Sequence, residues 1–288
     1  MFSNRKHQEQ IGRLCLYFFF SIMLLCNVHF GYGQGAKEKT IRIAGVQINS
    51  AADINASLQK ALTYIKQASR ENADFIIFPE MYLTGYHNRF DEDEAEAALT
   101  KISKAAKEYK INILMGTGSK HLGVTTNQVR IYSRKGELVG FHDKILLAGP
   151  EQNKFEPGSK LRVFDLEGIC FAVLICNDFW ATPQSTHGRI PLLVQDAQNM
   201  GASIIFHSMS CSGEKDIAKR TILADWHVAN HRTWAMRIGI AVVAADQPKQ
   251  LGSLVNSGII GMDGNYIVKA PNLGEHFFVG EIYLPESE

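Results

Sequence analysis

Asp74-Phe-Ile-Ile-Phe-Pro-Glu-Met-Tyr-Leu-Thr-Gly-Tyr86 is the stretch that decides the fold class. Phe75 to Phe78 is an apolar run without polar alternation, which reads as a strand buried on both faces. Pro79 ends it, because proline brings no N–H to a strand ladder. Upstream, Leu58, Ala61, Leu62 and Ile65 recur at helical spacing, after an alternating strand at Thr40–Asn49. Downstream, Ala95–Tyr109 is helix-like and Ile111–Met115 strand-like. Gln128–Tyr132 and Leu138–Phe141 are β-rich runs joined by the hairpin signal Arg134-Lys-Gly-Glu137. Arg162–Leu166 pairs with Ile169–Ile175 around Glu167-Gly168, and a helix at Ile190–Met200 leads to a strand at Ser203–Phe206. A helical stretch at Glu214–Met236 and strands at Ile240–Ala245, Ser257–Gly261, Tyr266–Val268 and Phe277–Tyr283 close the chain. Strands alternating with helices, with hairpins interspersed, give a layered α/β domain with mixed sheets. No repeat or long linker divides it, so one domain is expected over residues 37–288.

Composition agrees with a globular core: of 288 residues, 45% are hydrophobic and 20% charged, with a net charge of +1. No basic run suits a phosphate backbone, so nucleic acid is not an expected partner. The N-terminus reads differently. Arg5, Lys6 and Arg13 precede the apolar run Leu14–Cys26, and Gly31-Tyr-Gly33 follows. That is the order of a secretory signal peptide over residues 1–33. The run is shorter than the roughly 20 residues that span a bilayer. The expectation is export to the periplasm or medium without a stable membrane span, with a short N-terminal membrane anchor as the alternative. Of five cysteines, Cys170, Cys176 and Cys211 remain after the signal, an odd number that points to a free thiol.

Three segments carry candidate chemistry. Glu80 leaves the strand behind Pro79, where a carboxylate projects into a cleft at a strand exit; alone, it reads equally as a solvated loop glutamate. Lys144 ends a strand and enters a Gly/Pro-punctuated loop running to Gly158; alone, it reads as a surface lysine. Cys176, in Val173-Leu-Ile-Cys-Asn-Asp-Phe-Trp180, follows an apolar strand and opens a polar turn. A thiol there meets substrate and backbone N–H groups, although a buried structural cysteine is common. His227 and His231 have helical ligand spacing, but no glutamate stands between them as in H-E-x-x-H. His187, His207, His227 and His231 are therefore read as surface or core residues, Trp226 and Trp234 as packing residues, and no metal is expected.

Together the segments form a pattern. Gly45-Val-Gln47, Phe78-Pro-Glu80, Lys144 with Phe155-x-Pro-Gly158, Cys176-Asn-Asp178, Gly201-Ala202 and Gly264 follow in one order across residues 40–284. In this the chain resembles the nitrilase superfamily of carbon–nitrogen hydrolases. The resemblance implies a four-layer α-β-β-α sandwich with mixed sheets, a homodimer or higher homo-oligomer, and no cofactor. It maps a catalytic Glu, Lys and Cys onto Glu80, Lys144 and Cys176, and a second glutamate onto Glu151, with Gln152 as the neighbouring alternative. It implies hydrolysis of a small amide or N-carbamoyl substrate through a thioester; a nitrilase, an acyl transferase or a silent binding protein of the same fold are the alternatives. Tyr86, Asn177, Phe179 and Trp180 are the expected substrate-binding residues. Where relatives carry a basic residue and then Pro-Glu, this chain has Phe179-Trp-Ala-Thr-Pro-Gln-Ser-Thr-His187; where they carry Arg-Ala-x-Glu-Asn, it has Trp234-Ala-Met-Arg-Ile238. Aromatic residues in place of cations imply a preference for substrates uncharged beside the scissile bond, with Arg189 as the candidate to compensate. N-terminal sequencing of protein from the native host is expected to start near Gln34; an intact Met1 on soluble cytoplasmic protein would contradict export.

Overall fold

The side-chain alternation of the first strand, Glu38–Gln47 (β1), shows why its sheet needs a layer on each side. Ile41 and Ile43 enter one buried cluster, and Ala44 and Val46 enter another. A strand buried on both faces must be covered on both. The computed structural model describes residues 38–180, 192–211 and 214–285. The architecture below is that of the unit Thr40–Leu284.

Helices Ile54–Arg70 (α1) and Glu92–Tyr109 (α2) cover the outer face of β1 and of Phe75–Ile77 (β2). Each is capped by an aspartate: Asp53 accepts from the Ala56 N–H at 2.7 Å and Asp91 from the Glu94 N–H at 2.8 Å. The same sheet continues through Asn112–His121 (β3), Val124–Tyr132 (β4) and Leu138–Asp143 (β5). The second sheet contains Val163–Leu166 (β6), Ile169–Ile175 (β7), Ile204–Ser208 (β8), Ala241–Ala245 (β9), Gly258–Ile260 (β10) and Tyr266–Lys269 (β11). Last comes His276–Pro285 (β12), which returns to the first sheet. The orders are β12-β1-β2-β3-β4-β5 and β11-β10-β9-β8-β7-β6. Each sheet holds a parallel trio, β1-β2-β3 or β7-β8-β9; β4 pairs antiparallel with the first, and β6 and β10 pair antiparallel with the second.

The sheets meet through one apolar cluster, in which Ile43, Phe75 and Ile77 face Phe171, Val173 and Phe206. Phe75 lies 5.6 Å from Phe171 and 5.5 Å from Phe206 between ring centroids. The far side of the second sheet is covered by Asn177–Trp180 (α3), Leu193–Asn199 (α4) and Ile217–Ile238 (α5). The result is the expected α-β-β-α sandwich with mixed sheets. The sequence reading ended β3 at Met115 and began β4 at Gln128. Both strands run further and turn at Leu122-Gly123, where φ is 48° and 80°. Two left-handed residues suit a tight hairpin, and an apolar Leu122, 90% exposed, conceals that turn from a pattern search. The signal-peptide reading, His187 and Arg189 lie outside the described residues. Among the described residues no helix is long and apolar enough to cross a membrane.

Aromatic and imidazole rings fill the space between the second sheet and α5. Phe179 and Trp180 pack on His207 and His231 at 4.7–4.8 Å, and Trp180 packs on His227 at 4.6 Å. His207 Nε2 lies 3.1 Å from the Cys176 carbonyl oxygen and must donate to it. With both rings neutral, His207 Nδ1 then accepts from His231 Nε2 at 2.7 Å. Burial pushes His207 down to about 3 and His227 to about 4, and holds His231 well below the usual imidazole range. These histidines are core residues, as one of the two sequence readings had them.

In the unfolded chain each imidazole titrates near 6.5. As pH falls below that value, the unfolded state takes up protons that the folded state refuses, so stability is lost progressively toward pH 4. Each such histidine contributes a slope of up to about 1.4 kcal/mol per pH unit. Asp246, raised by burial to about 6, opposes this between roughly pH 4 and 6, because there the folded state takes up the proton first. The buried Glu80 carboxyl, also raised, acts in the same sense as Asp246, and three imidazoles outweigh these two carboxylates. Thermal melts should therefore show Tm falling from pH 6.5 to 4.5, with a shallower fall in His227→Gln. An identical slope in that variant would contradict the assignment.

Candidate active site

The candidate residues converge because their strands end on the same side of the sandwich. Glu80 follows β2, Lys144 follows β5 and Cys176 follows β7. Carboxyl ends of parallel strands are where open α/β sheets place ligands. Backbone bonds across the two sheets fix the Glu80 loop: its N–H donates to Met209 O at 3.2 Å, and Gln247 Nε2 donates to its carbonyl at 2.7 Å. Ser208 Oγ donates to Phe78 O at 3.0 Å. Gly116 lets β3 pass beneath this loop, since a Cβ there would sit 1.9 Å from Pro79 O. Gly158 does the same for the lysine segment: its N–H donates to Lys144 O at 2.8 Å, and a Cβ would lie 2.3 Å from Asp143 O. That close approach is a physical use for the glycine of Phe155-x-Pro-Gly158.

Lys144 is fully buried, and its ammonium is held by two carboxylates. Nζ donates to Glu80 Oε1 at 2.7 Å and to Glu151 at 2.9 Å (Oε1) and 2.8 Å (Oε2). Asn127 Nδ2 donates to Glu80 Oε1 at 2.7 Å and to Glu151 Oε1 at 3.3 Å. The Tyr86 hydroxyl reaches Glu80 Oε1 at 3.2 Å and also bonds Glu151. The Ala148 N–H donates to Glu151 Oε2 across a short 3₁₀ turn, Gly149–Glu151. Burial raises the Glu80 carboxyl above the usual range; Lys144 pulls it down and Glu151 pushes it up. Burial works against the Lys144 ammonium, but Glu80 foremost among several negative neighbours, Cys176 included, holds its pKa well above the ordinary lysine value. Tyr86 is raised well above the usual phenol range, mainly by burial. Glu80 Oε2 is buried without a hydrogen-bond partner among the described residues. It is the oxygen left free to handle a proton.

Cys176 has φ 45°, a left-handed conformation rare outside glycine and strained for a side-chain-bearing residue. The strain sits at a sharp strand-to-helix turn of the kind that presents nucleophiles. Cys176 N–H donates to Ser208 O at 3.0 Å, and Phe179 N–H to Cys176 O at 3.1 Å. Asp178, two residues on, ties this turn to the lysine segment. Its Oδ1 accepts from Ile145 N at 2.9 Å and Leu146 N at 2.7 Å; its Oδ2 accepts from Ile175 N at 3.1 Å and contacts His142 Nε2 at 2.9 Å. Residues flanking Lys144 and Cys176 thus share one buried carboxylate.

Glu80, Lys144, Glu151 and Tyr86 therefore form one directly bonded network, while Gln152 is exposed. Asn177 opens α3 with a half-buried side chain. Phe179 and Trp180, expected beside the substrate, are buried in the imidazole cluster behind the Cys176 turn. Asn127 escaped the sequence reading because it looks like one more polar strand residue; its only signal is that it and Gln128 are adjacent polar residues, both of which prove buried. Lys249 escaped as a loop lysine, yet its ammonium lies 5.9 Å from the centre of the Tyr86 ring. Cys211, read from sequence only as one of three cysteines outside the signal, has its sulfur 3.4 Å from that of Cys176. Among the described residues no group of three His, Cys, Asp or Glu is placed to hold a metal ion.

Comparison with known proteins fits this geometry. A nitrilase of Pyrococcus abyssi is 32% identical over 155 residues, covering 50% of this chain and 58% of the relative. The 2-oxoglutaramate amidase of Bacillus subtilis is 24% identical over 159 residues, covering 53% and 58%. These matches span little more than half the length of either relative. A solved structure of the Nesterenkonia AN1 amidase, of the nitrilase superfamily, superposes with a TM-score of 0.70 at 19% identity, covering 85% of this chain and 91% of that one. That likeness is one of fold. The model of the carbon–nitrogen hydrolase family matches residues 42–287, nearly the whole sandwich, and the chain belongs to that family.

Proposed function

We propose that the protein hydrolyses a small-molecule amide through a thioester on Cys176. One observation carries this reading: a fully buried lysine held by two carboxylates, at the strand ends where a cysteine stands in a strained left-handed turn. Burying three ionisable groups together costs stability that an apolar cluster would not cost. Such an arrangement is the pattern of a working site.

The chemistry follows from the positions. Glu80, with its raised carboxyl and free Oε2, takes the thiol proton as Cys176 attacks the carbonyl carbon. The oxyanion is met by the Lys144 ammonium and by the Asn177 N–H, which as a first-turn helix donor has no helical acceptor. Glu80 then passes its proton to the leaving amine. It next removes one from the incoming water, so that hydroxide attacks the thioester carbon, the C–S bond breaks, and the departing Cys176 thiolate takes that proton back from Glu80. Glu151 and Asn127 hold Lys144 and Glu80 in place throughout. Cys176→Ala is expected to abolish ammonia release, while Cys170→Ala retains it. Glu80→Gln should suppress acylation and deacylation alike. Substantial turnover in Cys176→Ala, or normal single-turnover acylation in Glu80→Gln, would overturn the mechanism. Ammonia release from nitriles but not amides would assign the same trio to a nitrilase.

Lys249 favours a second reading of the substrate's remote end. With Phe179 and Trp180 packed behind the turn, the uncharged preference loses the apolar wall on which it rested. Lys249 instead offers a cation on the Tyr86 side of the site, suited to a carboxylate. The amidase of Bacillus subtilis is named for an amide that carries a carboxylate. The test compares kcat/KM for a carboxylate-bearing amide and its uncharged analogue. A preference for the acidic amide that disappears in Lys249→Met supports this reading. A preference for the neutral analogue restores the reading from sequence.

A further inference from the structure

We propose that Cys176 and Cys211 form an oxidation site, which a hydroperoxide converts to a disulfide and a dithiol restores. The proposal rests on the reading of Cys176 as the nucleophile, because only then does the disulfide silence the enzyme.

The geometry is specific. The two sulfurs are 3.4 Å apart, and both cysteines are free and half-buried. Their proximity comes from parallel pairing, in which Ile175 of β7 stands opposite Ser208 of β8. Cys176 is one residue beyond the first, Cys211 three beyond the second. Both backbones are held. Cys176 N–H donates to Ser208 O at 3.0 Å, Cys211 N–H to Asp246 Oδ1 at 2.7 Å, and Leu254 N–H to Cys211 O at 3.1 Å. A disulfide needs an S–S distance of about 2.05 Å, so the sulfurs must close by only about 1.4 Å. Cys170 is the control. It lies six residues back along the extended strand β7 and contacts the Gly201 region, away from the pair.

The chemistry assigns different roles to the two sulfurs. The hydrogen bond with Cys176, then burial, keeps Cys211 protonated well above the usual thiol range, so Cys176 reacts first. Its sulfur attacks one peroxide oxygen and the O–O bond breaks. The sulfur gives up two electrons, and the other oxygen leaves with the thiol proton as water or alcohol. The product is a sulfenic acid. Cys211 sulfur then attacks the sulfenic sulfur. The S–O bond breaks, the S–S bond forms, and the hydroxyl leaves with the Cys211 proton as water. A dithiol supplies two electrons and two protons to return both thiols. Trapping the sulfenic acid in this way keeps Cys176 from the irreversible sulfinic state.

The experiment treats reduced full-length protein with hydrogen peroxide, then follows intact mass, non-reduced peptides and amide hydrolysis, before and after dithiothreitol. Each variant is normalised to its own untreated activity. Expected for wild type and Cys170→Ala are loss of two hydrogens, a peptide linking Cys176 to Cys211, and loss of hydrolysis that dithiothreitol reverses. Cys211→Ala should lose hydrolysis without recovery and gain two oxygens on Cys176. A wild-type protein that carries sulfinic Cys176 and no linked peptide overturns the proposal, as does equal recovery in Cys211→Ala. A linked peptide with undiminished hydrolysis keeps the oxidation site and overturns the nucleophile reading instead.

Discussion

The buried ammonium of Lys144 is the constraint around which the site is built. A charge removed from water needs opposite charge and hydrogen bonds at short range, and it is destabilising if either partner is lost. Here two carboxylates flank one ammonium, leaving an excess negative charge for the surroundings to absorb. Asn127, the Tyr86 hydroxyl and the Ala148 N–H supply donors to those carboxylates. Burial raises the Glu80 carboxyl, which lets it carry a proton at less cost than a solvated glutamate could. The same burial that makes the network hard to assemble therefore makes Glu80 a suitable acid and base.

Assembling that network requires both sheets. Glu80 belongs to the first sheet, but its N–H and carbonyl are bonded by Met209 and Gln247, which follow β8 and β9 of the second. Cys176 belongs to the second sheet, but Asp178 reaches across to the Lys144 segment that leaves the first. Apolar packing of Phe75, Phe171 and Phe206 drives the sheets together. The polar bonds at the strand ends then set the register of one sheet's loops against the other's. Gly116 and Gly158 are placed where those loops approach backbone too closely for a Cβ.

This division explains what the sequence made legible. Apolar runs such as Phe75–Ile77 and Ile169–Ile175 identified the strands, because burial on both faces leaves a continuous pattern. Glu80, Lys144 and Cys176 were legible only as a set, through the spacing of short motifs; singly, each resembles a common surface or core residue. Glu151 could be placed beside the Phe155-x-Pro-Gly158 element but not separated from Gln152 by pattern. The 3₁₀ turn at Gly149–Glu151 makes that choice by aiming one side chain inward. Asn127 and Lys249 were not legible at all, and Cys211 was legible only as a thiol, not as a neighbour of Cys176. Each owes its place to pairing with segments tens of residues away, and a local pattern holds no trace of that. Phe179 and Trp180 show the opposite case: adjacency to Cys176 in sequence suggested adjacency to substrate, and a short helix packs both rings into the core.

The same helix bears on which group activates the thiol. A cysteine with histidines nearby invites comparison with hydrolases in which imidazole takes the proton. His207 stands directly behind Cys176, so the comparison must be weighed. Its Nε2–H is committed to the Cys176 carbonyl and its Nδ1 to His231, which leaves no lone pair for a thiol proton. Burial pushes it down to about 3, so it would be a poor base even if it could turn. What His207 does is hold the carbonyl of a residue whose backbone is left-handed and strained. In the proposed mechanism, proton transfer then falls to a group with a free acceptor and a raised pKa on the Lys144 side of the turn. Glu80 Oε2 meets both conditions, and Lys144 beside it offsets the charge that the departing proton leaves behind.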